Sequence, residues 1–170
     1  MVKPKITLLE LLELYKDIDS SKPFICGIRG YYRDSKGVKG KNDLGIFDDA
    51  ILFFDGVELH TFNGNTDPSK GGQKWAMLDA GVYEYYRGMH RMQYDALRPF
   101  PDGVKMPCTR DGKKGFATGC NIHKGGNFDT GSQGCQTLPK SQWEEFIGLV
   151  YEVMQKNKMH TIKYYLYERS

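Results

Sequence analysis

The sequence lacks the features that mark several large classes of protein. No uninterrupted apolar run approaches the roughly 20 residues that a membrane-spanning helix requires. The opening residues, Met1–Lys5, lead into a segment that contains acidic residues and do not form a secretory signal peptide. We therefore expect no membrane span and synthesis in the cytoplasm, with any target outside the membrane reached only after release of the protein.

A large excess of charge of one sign is also missing. The chain has 24 Lys and Arg against 21 Asp and Glu, a formal net charge of +3, and the two signs are interspersed. No predicted helix concentrates basic residues into a stripe, and no known nucleic-acid-binding motif is present. We expect no nucleic-acid partner, although the slight basic excess is compatible with an anionic polymer.

Cysteine is scarce, with Cys26, Cys108, Cys120 and Cys135 the only four. In a protein without an export signal, free thiols are expected rather than disulfides. The first three are interpreted as small apolar residues that fill gaps in a core. Cys135 lies in a different context and is considered separately below.

Length and periodicity predict one domain, residues 1–170, with two helices. Thr7 followed by Glu10 is a capping box, which predicts a first helix that ends near Asp19–Ser21 and packs outside a sheet. A second helix is predicted after Pro139. The apolar face of this second helix comprises Trp143, Phe146, Ile147, Val150 and Met154.

Strand patterns occupy most of the chain between and after these helices. Asp-Gly pairs at Asp55-Gly56 and Asp111-Gly112 each join two apolar runs, which is a strong hairpin signal. The second pair separates residues 104–109 from a predicted strand over 115–123, and residues 162–167 alternate as a last strand. The predicted class is α+β, a mainly antiparallel β domain with two helices.

The segment 121–135 carries the candidate chemistry. It places His123 upstream of Cys135, with four glycines between them. Such a loop is a poor way to build a core but a good way to hold an imidazole beside a thiol, which attacks only as thiolate and needs a base. The turn Ser132–Cys135 is expected to gather backbone N–H groups into an oxyanion hole, and a side chain at Gly134 is expected to obstruct the substrate carbonyl.

Strand alternation discriminates between the neighbours of His123. If residues 120–123 form one strand, Cys120 faces away from His123 and Asn121 shares its face. The candidate substrate-binding residues are Asn121, Gly125, Gly126, Gln133 and Arg29. Arg29 is a candidate contact for a substrate carboxylate, with an ordinary charge on a strand face as the alternative.

Ile122-His123 followed by glycines and then Ser132-Gln133-Gly134-Cys135 resembles the active-site signature of L,D-transpeptidase (YkuD-type) catalytic domains, most closely the small phage-encoded members. The resemblance covers residues 121–137. It implies a mainly β domain that acts on peptidoglycan stem peptides, where the cysteine attacks the carbonyl of the third residue and forms a thioester. Water resolves this thioester in a hydrolase, and the amine of a second stem resolves it in a transpeptidase.

By this resemblance Cys135 is the nucleophile, His123 is the base, and Ser132 and Gly134 shape the loop or the oxyanion hole. Gln133 is a possible amide donor. No cofactor and no metal are implied. The chain departs from the family pattern at Gln133, which is often His, and at Thr137, which is often Arg or Asn, so the resemblance does not identify the contact to a substrate carboxylate.

Several alternatives remain open. His160 lies downstream of Cys135 and gives the residue order of papain-like enzymes. Cys120-Asn121-Ile122-His123, with Cys108 and Cys135, supplies four potential zinc ligands. A cross-linking enzyme and a non-catalytic wall-binding or virion structural module are further possibilities. We favour hydrolysis, because a cross-linking enzyme that maintains its own cell wall must be exported.

Overall fold

The computed structural model describes all residues, Met1–Ser170, and contains two helices and eleven strands. The helices are α1 (Leu8–Leu14) and α2 (Lys140–Lys156). The strands before residue 100 are β1 (Phe24–Arg29), β2 (Asp49–Phe54), β3 (Leu59–Gly64), β4 (Met77–Leu78), β5 (Gly81–His90) and β6 (Tyr94–Pro99). The later strands are β7 (Met106–Arg110), β8 (Lys113–Ala117), β9 (Ile122–Lys124), β10 (Gln136–Leu138) and β11 (Thr161–Glu168).

Eight strands form one sheet in the order β10-β9-β6-β5-β11-β1-β2-β3. A bridge between Asn65, just past β3, and Thr137 in β10 joins the two edges, so the sheet is nearly closed. The strands β4, β7 and β8 form a second, antiparallel sheet. The predicted α+β class with two helices and mostly antiparallel strands is confirmed, but the large sheet is mixed because β1 pairs with β11, and β9 with β10, in parallel.

The helices cover different faces of the large sheet. In α1 the Thr7–Glu10 capping box is formed as predicted, and Leu11 is buried against β1 and β2 residues. The helix ends at Leu14, earlier than predicted, with Tyr15 as its C-cap. The whole predicted apolar face of α2 is buried in the larger core cluster. Neither helix is long and apolar enough to cross a membrane.

Both Asp-Gly hairpins are present. The first joins β2 to β3, and the second joins β7 to β8 through Asp111 and Gly112, which both have positive φ. The strand predicted over 115–123 is wrong, because residues 118–121 leave the small sheet and the chain enters the large one only at Ile122. This crossing between sheets opens the space in which the candidate site lies.

Candidate functional site

His123 and Cys135 come from neighbouring parallel strands. His123 lies in β9 opposite Thr137 of β10, and Cys135 is the residue immediately before β10. Both line one cavity of about 430 Å³, which we call the His–Cys cavity. His123 is buried and Cys135 is half-buried. The fold therefore brings the two predicted residues into one space, although Tyr94 and His90 rather than the sulfur make the contacts that hold the imidazole.

The backbone fixes the orientation of the His123 ring. Nδ1 lies 2.8 Å from the carbonyl oxygen of Lys124, to which it donates. The Tyr94 hydroxyl lies 3.1 Å from the same nitrogen and donates to the same carbonyl at 3.4 Å. With the proton on Nδ1, the lone pair is on Nε2, so His123 has the tautomer that a general base requires.

A second imidazole stacks on His123. The ring centroids of His90 and His123 are 3.8 Å apart and the planes meet at 18°. The amide of Asn121 donates to Nδ1 of His90 at 3.1 Å. His90 ends β5 and is followed by a tight turn in which Arg91 and Met92 have φ of 49° and 57°. Non-glycine residues at positive φ are strained, and such strain clusters at functional sites.

The surroundings favour the neutral forms of both candidate catalytic groups. Burial, with His90 as a second cause, lowers the pKa of His123 to about 4. Desolvation raises the pKa of Cys135 to about 11, against the opposing effects of the Asn121 backbone N–H and of Arg91. The thiol donates to the carbonyl oxygen of Gly119 at 3.6 Å. The resting site therefore holds a thiol and a neutral imidazole in one cavity rather than a thiolate–imidazolium pair.

Ser132 and Gly134 shape the turn before the cysteine. Ser132 Oγ donates to the carbonyl of Cys135 at 2.6 Å and accepts from the N–H of Gly134 at 3.0 Å. The N–H groups of Gln133 and Cys135 have no acceptor in the protein, so they, and not the N–H of Gly134, are the free backbone donors of this turn.

The structure gives a different reason for a glycine at position 134 from the one expected. Its φ is 145°, and a Cβ there would lie 2.6 Å from the carbonyl oxygen of Ala76. A side chain would collide with the protein's own backbone, whatever the substrate does. The Gln133 carbonyl also accepts from the N–H of Ala76 at 3.1 Å, so the turn is fixed to the segment before β4.

Of the other predicted substrate-binding residues, Asn121 and Gln133 line the His–Cys cavity, but Gly125 and Gly126 do not. A Cβ on Gly125 would meet Phe47 at 2.7 Å, and one on Gly126 would meet the carbonyl of Asp129 at 2.9 Å. These two glycines allow close packing of the loop on itself. Their expected role in binding substrate is not supported by their positions.

Arg29 also lies away from the His–Cys cavity. Its side chain is 4% exposed and contacts Asp67 at 2.8 Å and Glu168 at 3.1 Å. It also donates to Thr66 and to the carbonyl of Leu78. Because its donors are engaged in this buried network, the position of Arg29 does not support the expectation that it meets a substrate carboxylate in the site. Arg29 is a charge on strand β1, as in the alternative, and it is buried there.

The position of Cys120 shows that the prediction from strand alternation, that Cys120 faces away from His123, is wrong. It precedes β9 in an irregular segment, so alternation does not apply, and it lines the same cavity as His123. Burial raises the pKa of its thiol to about 12. The four residues of the zinc hypothesis do not converge on one point: the group of potential ligands whose atoms lie within 4.8 Å of one another is Asp55, Glu58 and His60.

His160 is remote from the thiol's surroundings. Its ring stacks near Tyr86 and lies edge-on to Phe100, with centroids 5.1 Å apart for the second pair, and it does not line the His–Cys cavity. Cys135 therefore shares a cavity with His123 but not with His160, so the structure does not support the Cys135–His160 alternative.

Sequence reasoning missed four residues that line the cavity, Lys74, His90, Arg91 and Arg110, and it missed Tyr94, which contacts His123. Arg91-Met92 carries none of the Asn-Gly or Asp-Gly character that announces such a turn. A histidine at the end of a strand run is the only signal that the sequence offers for His90. Comparison with protein-family models, with curated proteins and with solved structures finds no match for this chain.

Proposed function

We propose that the protein is a cysteine-dependent hydrolase of peptidoglycan stem peptides, of the L,D-transpeptidase-like type. The observation that carries this proposal is the shared cavity of His123 and Cys135, with Nδ1 of the histidine held by the Lys124 carbonyl. A thiol needs a neighbouring base to attack an amide, and a base needs a fixed tautomer to serve it. The resemblance of residues 121–137 to the family signature supplies the substrate class.

Acylation begins when Nε2 of His123 takes the thiol proton and Sγ of Cys135 bonds to the carbonyl carbon of the substrate amide. The C–N bond then breaks, and the proton on His123 passes to the leaving amine. A water next gives a proton to His123 while its oxygen attacks the thioester. The C–S bond breaks, and the sulfur recovers its proton from His123, which leaves a free carboxylate and the original thiol.

The resting hydrogen bond from Cys135 to Gly119 sets a requirement on this mechanism. The thiol proton must turn from the Gly119 carbonyl towards Nε2 of His123 before transfer. Catalytic hydrogen bonds are often poorly formed without substrate and tighten when it binds. Because burial raises the pKa of Cys135 to about 11 and lowers that of His123 to about 4, the reaction starts from the thiol and the neutral imidazole.

The charge around the cavity favours water over an amine as the second substrate. Lys74, Arg91 and Arg110 line the cavity, and none of its 15 lining residues is Asp or Glu. An amine acceptor is mostly an ammonium ion at neutral pH, and like charges disfavour its approach. Water meets no such barrier, so this arrangement supports hydrolysis. The substrate lies outside the membrane, and release of the protein from the cytoplasm is part of the proposal.

The test is incubation of the purified protein with muropeptides, followed by mass spectrometry of the products. Wild type is expected to release shortened stems, Cys135→Ala is expected to release none, and His123→Ala is expected to release them far more slowly. His160→Ala is the matched control and should retain activity. Equal products from wild type and Cys135→Ala would refute the proposal, and cross-linked products in place of shortened stems would assign the transpeptidase reaction instead.

A further inference from the structure

Asp67 is the centre of a buried polar cluster that lies away from the His–Cys cavity. Asn42 donates through Nδ2 to the carboxylate of Asp67, and Asn65 donates through Nδ2 to its backbone carbonyl oxygen. Asp48 lies beside the loop that carries Asn42, because its Oδ2 accepts from the backbone N–H of Asp43 at 2.9 Å. The cluster therefore joins the loop between β1 and β2 to the segment that follows β3.

Three side chains of this cluster keep a buried oxygen without a partner. The Oδ1 atoms of Asn42, Asp48 and Asn65 are closed to solvent and accept no hydrogen bond within the protein. Asp48 and Asn65 are fully buried as whole residues. A buried acceptor without a donor costs free energy, and all three atoms are acceptors. Three such oxygens around one aspartate point to a bound cation.

The charges of the cluster point the same way. Asp48, Asp49 and Asp67 are fully buried. Arg29, which meets Asp67 at 2.8 Å, is the only buried Lys or Arg of the chain. A proton on one carboxyl group can donate to only one of the free oxygens, whereas one divalent ion can bind all of them and also balance carboxylate charge.

The donor set selects the class of ion. Carboxylate and amide oxygens without sulfur or imidazole are typical of Ca²⁺, which lies roughly 2.3–2.6 Å from its oxygen ligands. A water lies farther from an oxygen, at roughly 2.7–2.8 Å, so an ion needs less room among oxygens that are closed to solvent. Asn42 also lines an open cavity of about 340 Å³, which gives the ion a route and supplies water for the rest of its coordination shell.

We propose that this cluster binds one Ca²⁺ ion through its three free oxygens and the carboxylate of Asp67. The ion stabilises a segment that contacts the other edge of the large sheet. Asn65 exchanges two backbone hydrogen bonds with Thr137, and the N–H of Ser69 donates to the carbonyl of Ser132. Calcium thus supports both the closure of the sheet and the turn before the proposed nucleophile. The inference does not depend on the proposed function.

The test uses the full chain after treatment with a chelator, which is then removed, and titrates it with Ca²⁺ alone. Calorimetry is expected to show one ion bound per chain. The thermal unfolding midpoint is expected to rise by about 5–10 °C at a Ca²⁺ concentration of about 100 times the dissociation constant. Mg²⁺ should bind more weakly, because it requires a compact octahedral shell.

Two variants locate the ion. Asp48→Asn keeps the shape of the side chain and removes its charge, so the affinity for Ca²⁺ should fall by about tenfold or more. Asn42→Ala removes one ligand at a half-buried loop position and should also weaken binding. Glu58→Gln is the matched control, because Glu58 belongs to a separate group of potential ligands with Asp55 and His60. It should bind Ca²⁺ as wild type does.

The wild-type measurement tests the inference without any variant. Absence of Ca²⁺ binding, or an unfolding midpoint that Ca²⁺ does not change, overturns it. Wild-type affinity in both Asp48→Asn and Asn42→Ala overturns it too, and loss of binding in Glu58→Gln would then place the ion at the β2–β3 hairpin. If Asp48→Asn does not fold, Asn42→Ala provides the comparison. Because no hydrolysis is measured, failure of this inference and failure of the proposed function are distinguishable.

Discussion

Two arginines of the molecule differ in their surroundings: Arg29 is buried in a polar network, and Arg91 is exposed at the edge of the His–Cys cavity. Around Arg29, the guanidinium meets Asp67, Glu168, Thr66 and the carbonyl of Leu78. In the His–Cys cavity, Arg91 has no protein partner. Two residues of the same type thus have opposite surroundings.

The difference separates a structural network from a site. The Arg29 guanidinium uses its donors within the protein, as a buried charge must if the fold is to tolerate it, although Asn42, Asp48 and Asn65 near Asp67 each keep one buried oxygen without a hydrogen-bond partner. At the cavity the N–H groups of Gln133 and Cys135 have no acceptor in the protein, and the backbone at Arg91 is strained. Hydrogen-bond donors that have no partner beside a nucleophile are available to bind a substrate.

The largest effect is expected at Cys135. Cys135→Ala should lower stem-peptide hydrolysis by roughly 10⁴-fold or more, because it removes the nucleophile on which every step depends. Its thermal unfolding midpoint should stay close to that of wild type. Cys120→Ala, at the other thiol of the cavity, is the control and should retain activity; loss of activity in Cys120→Ala with activity kept in Cys135→Ala would assign the nucleophile to Cys120.

Arg29→Met should act on stability instead. Removal of one partner from a buried ion pair leaves Asp67 uncompensated and is expected to cost about 3–5 kcal/mol in the free energy of unfolding, measured by denaturant titration. The folded fraction should keep wild-type kcat. A variant that unfolds like wild type but no longer binds substrate would reverse the assignment of the two clusters.

Gly134→Ala tests the strain at the turn before the cysteine. A residue with φ of 145° and a Cβ 2.6 Å from the Ala76 carbonyl should destabilise the protein by about 1–3 kcal/mol. The control is Gly148→Ala in α2, where a Cβ meets nothing within 4 Å. That helix substitution should stabilise the protein by roughly 0.5–1 kcal/mol. Equal effects of the two substitutions would show that the turn does not require glycine at position 134.

His90→Gln should produce the smallest change, a shift in the pH profile of kcat/KM. Lowering the pH protonates His123 and abolishes its function as a base, so the acid limb follows the pKa of His123. His90 stacks on this ring and Tyr94 contacts its Nδ1, Arg91 and Cys135 line the same cavity, and His90 and Arg91 both lower the pKa of His123. Replacement of His90 admits water and removes one repelling imidazolium, so the acid limb should move to higher pH.

The expected profile has a control in His160→Gln, which changes a histidine outside the cavity and should leave the acid limb in place. A limb that stays fixed in His90→Gln as well would show that the stacked ring does not influence the base.

The sequence predicted what depends on neighbouring residues. The Thr7–Glu10 capping box, the apolar face of α2 and both Asp-Gly hairpins rest on local geometry, and all are present. The pairing of β9 with β10 in parallel depends on the closure of the large sheet, for which the sequence carries no local signal.

The same limit applies to the site. His123 and Cys135 were singled out because the loop between them is unlike a core segment, and they do share a cavity. The expected roles of Gly125, Gly126 and Arg29 in binding substrate are not supported, because tertiary packing and not loop composition determines the surroundings of these residues. His90 and Arg91 reach the cavity through a strained turn whose sequence resembles an ordinary strand end.

The most direct measurement of the central claim is rapid quenching of the reaction with a stem peptide, followed by intact-mass analysis and peptide mapping. The account predicts a transient mass increase equal to the acyl fragment, located on Cys135, which forms about 10²- to 10⁴-fold more slowly in His123→Ala. Product release without any adduct, an adduct on another thiol, or equal rates of acylation in wild type and His123→Ala would contradict it.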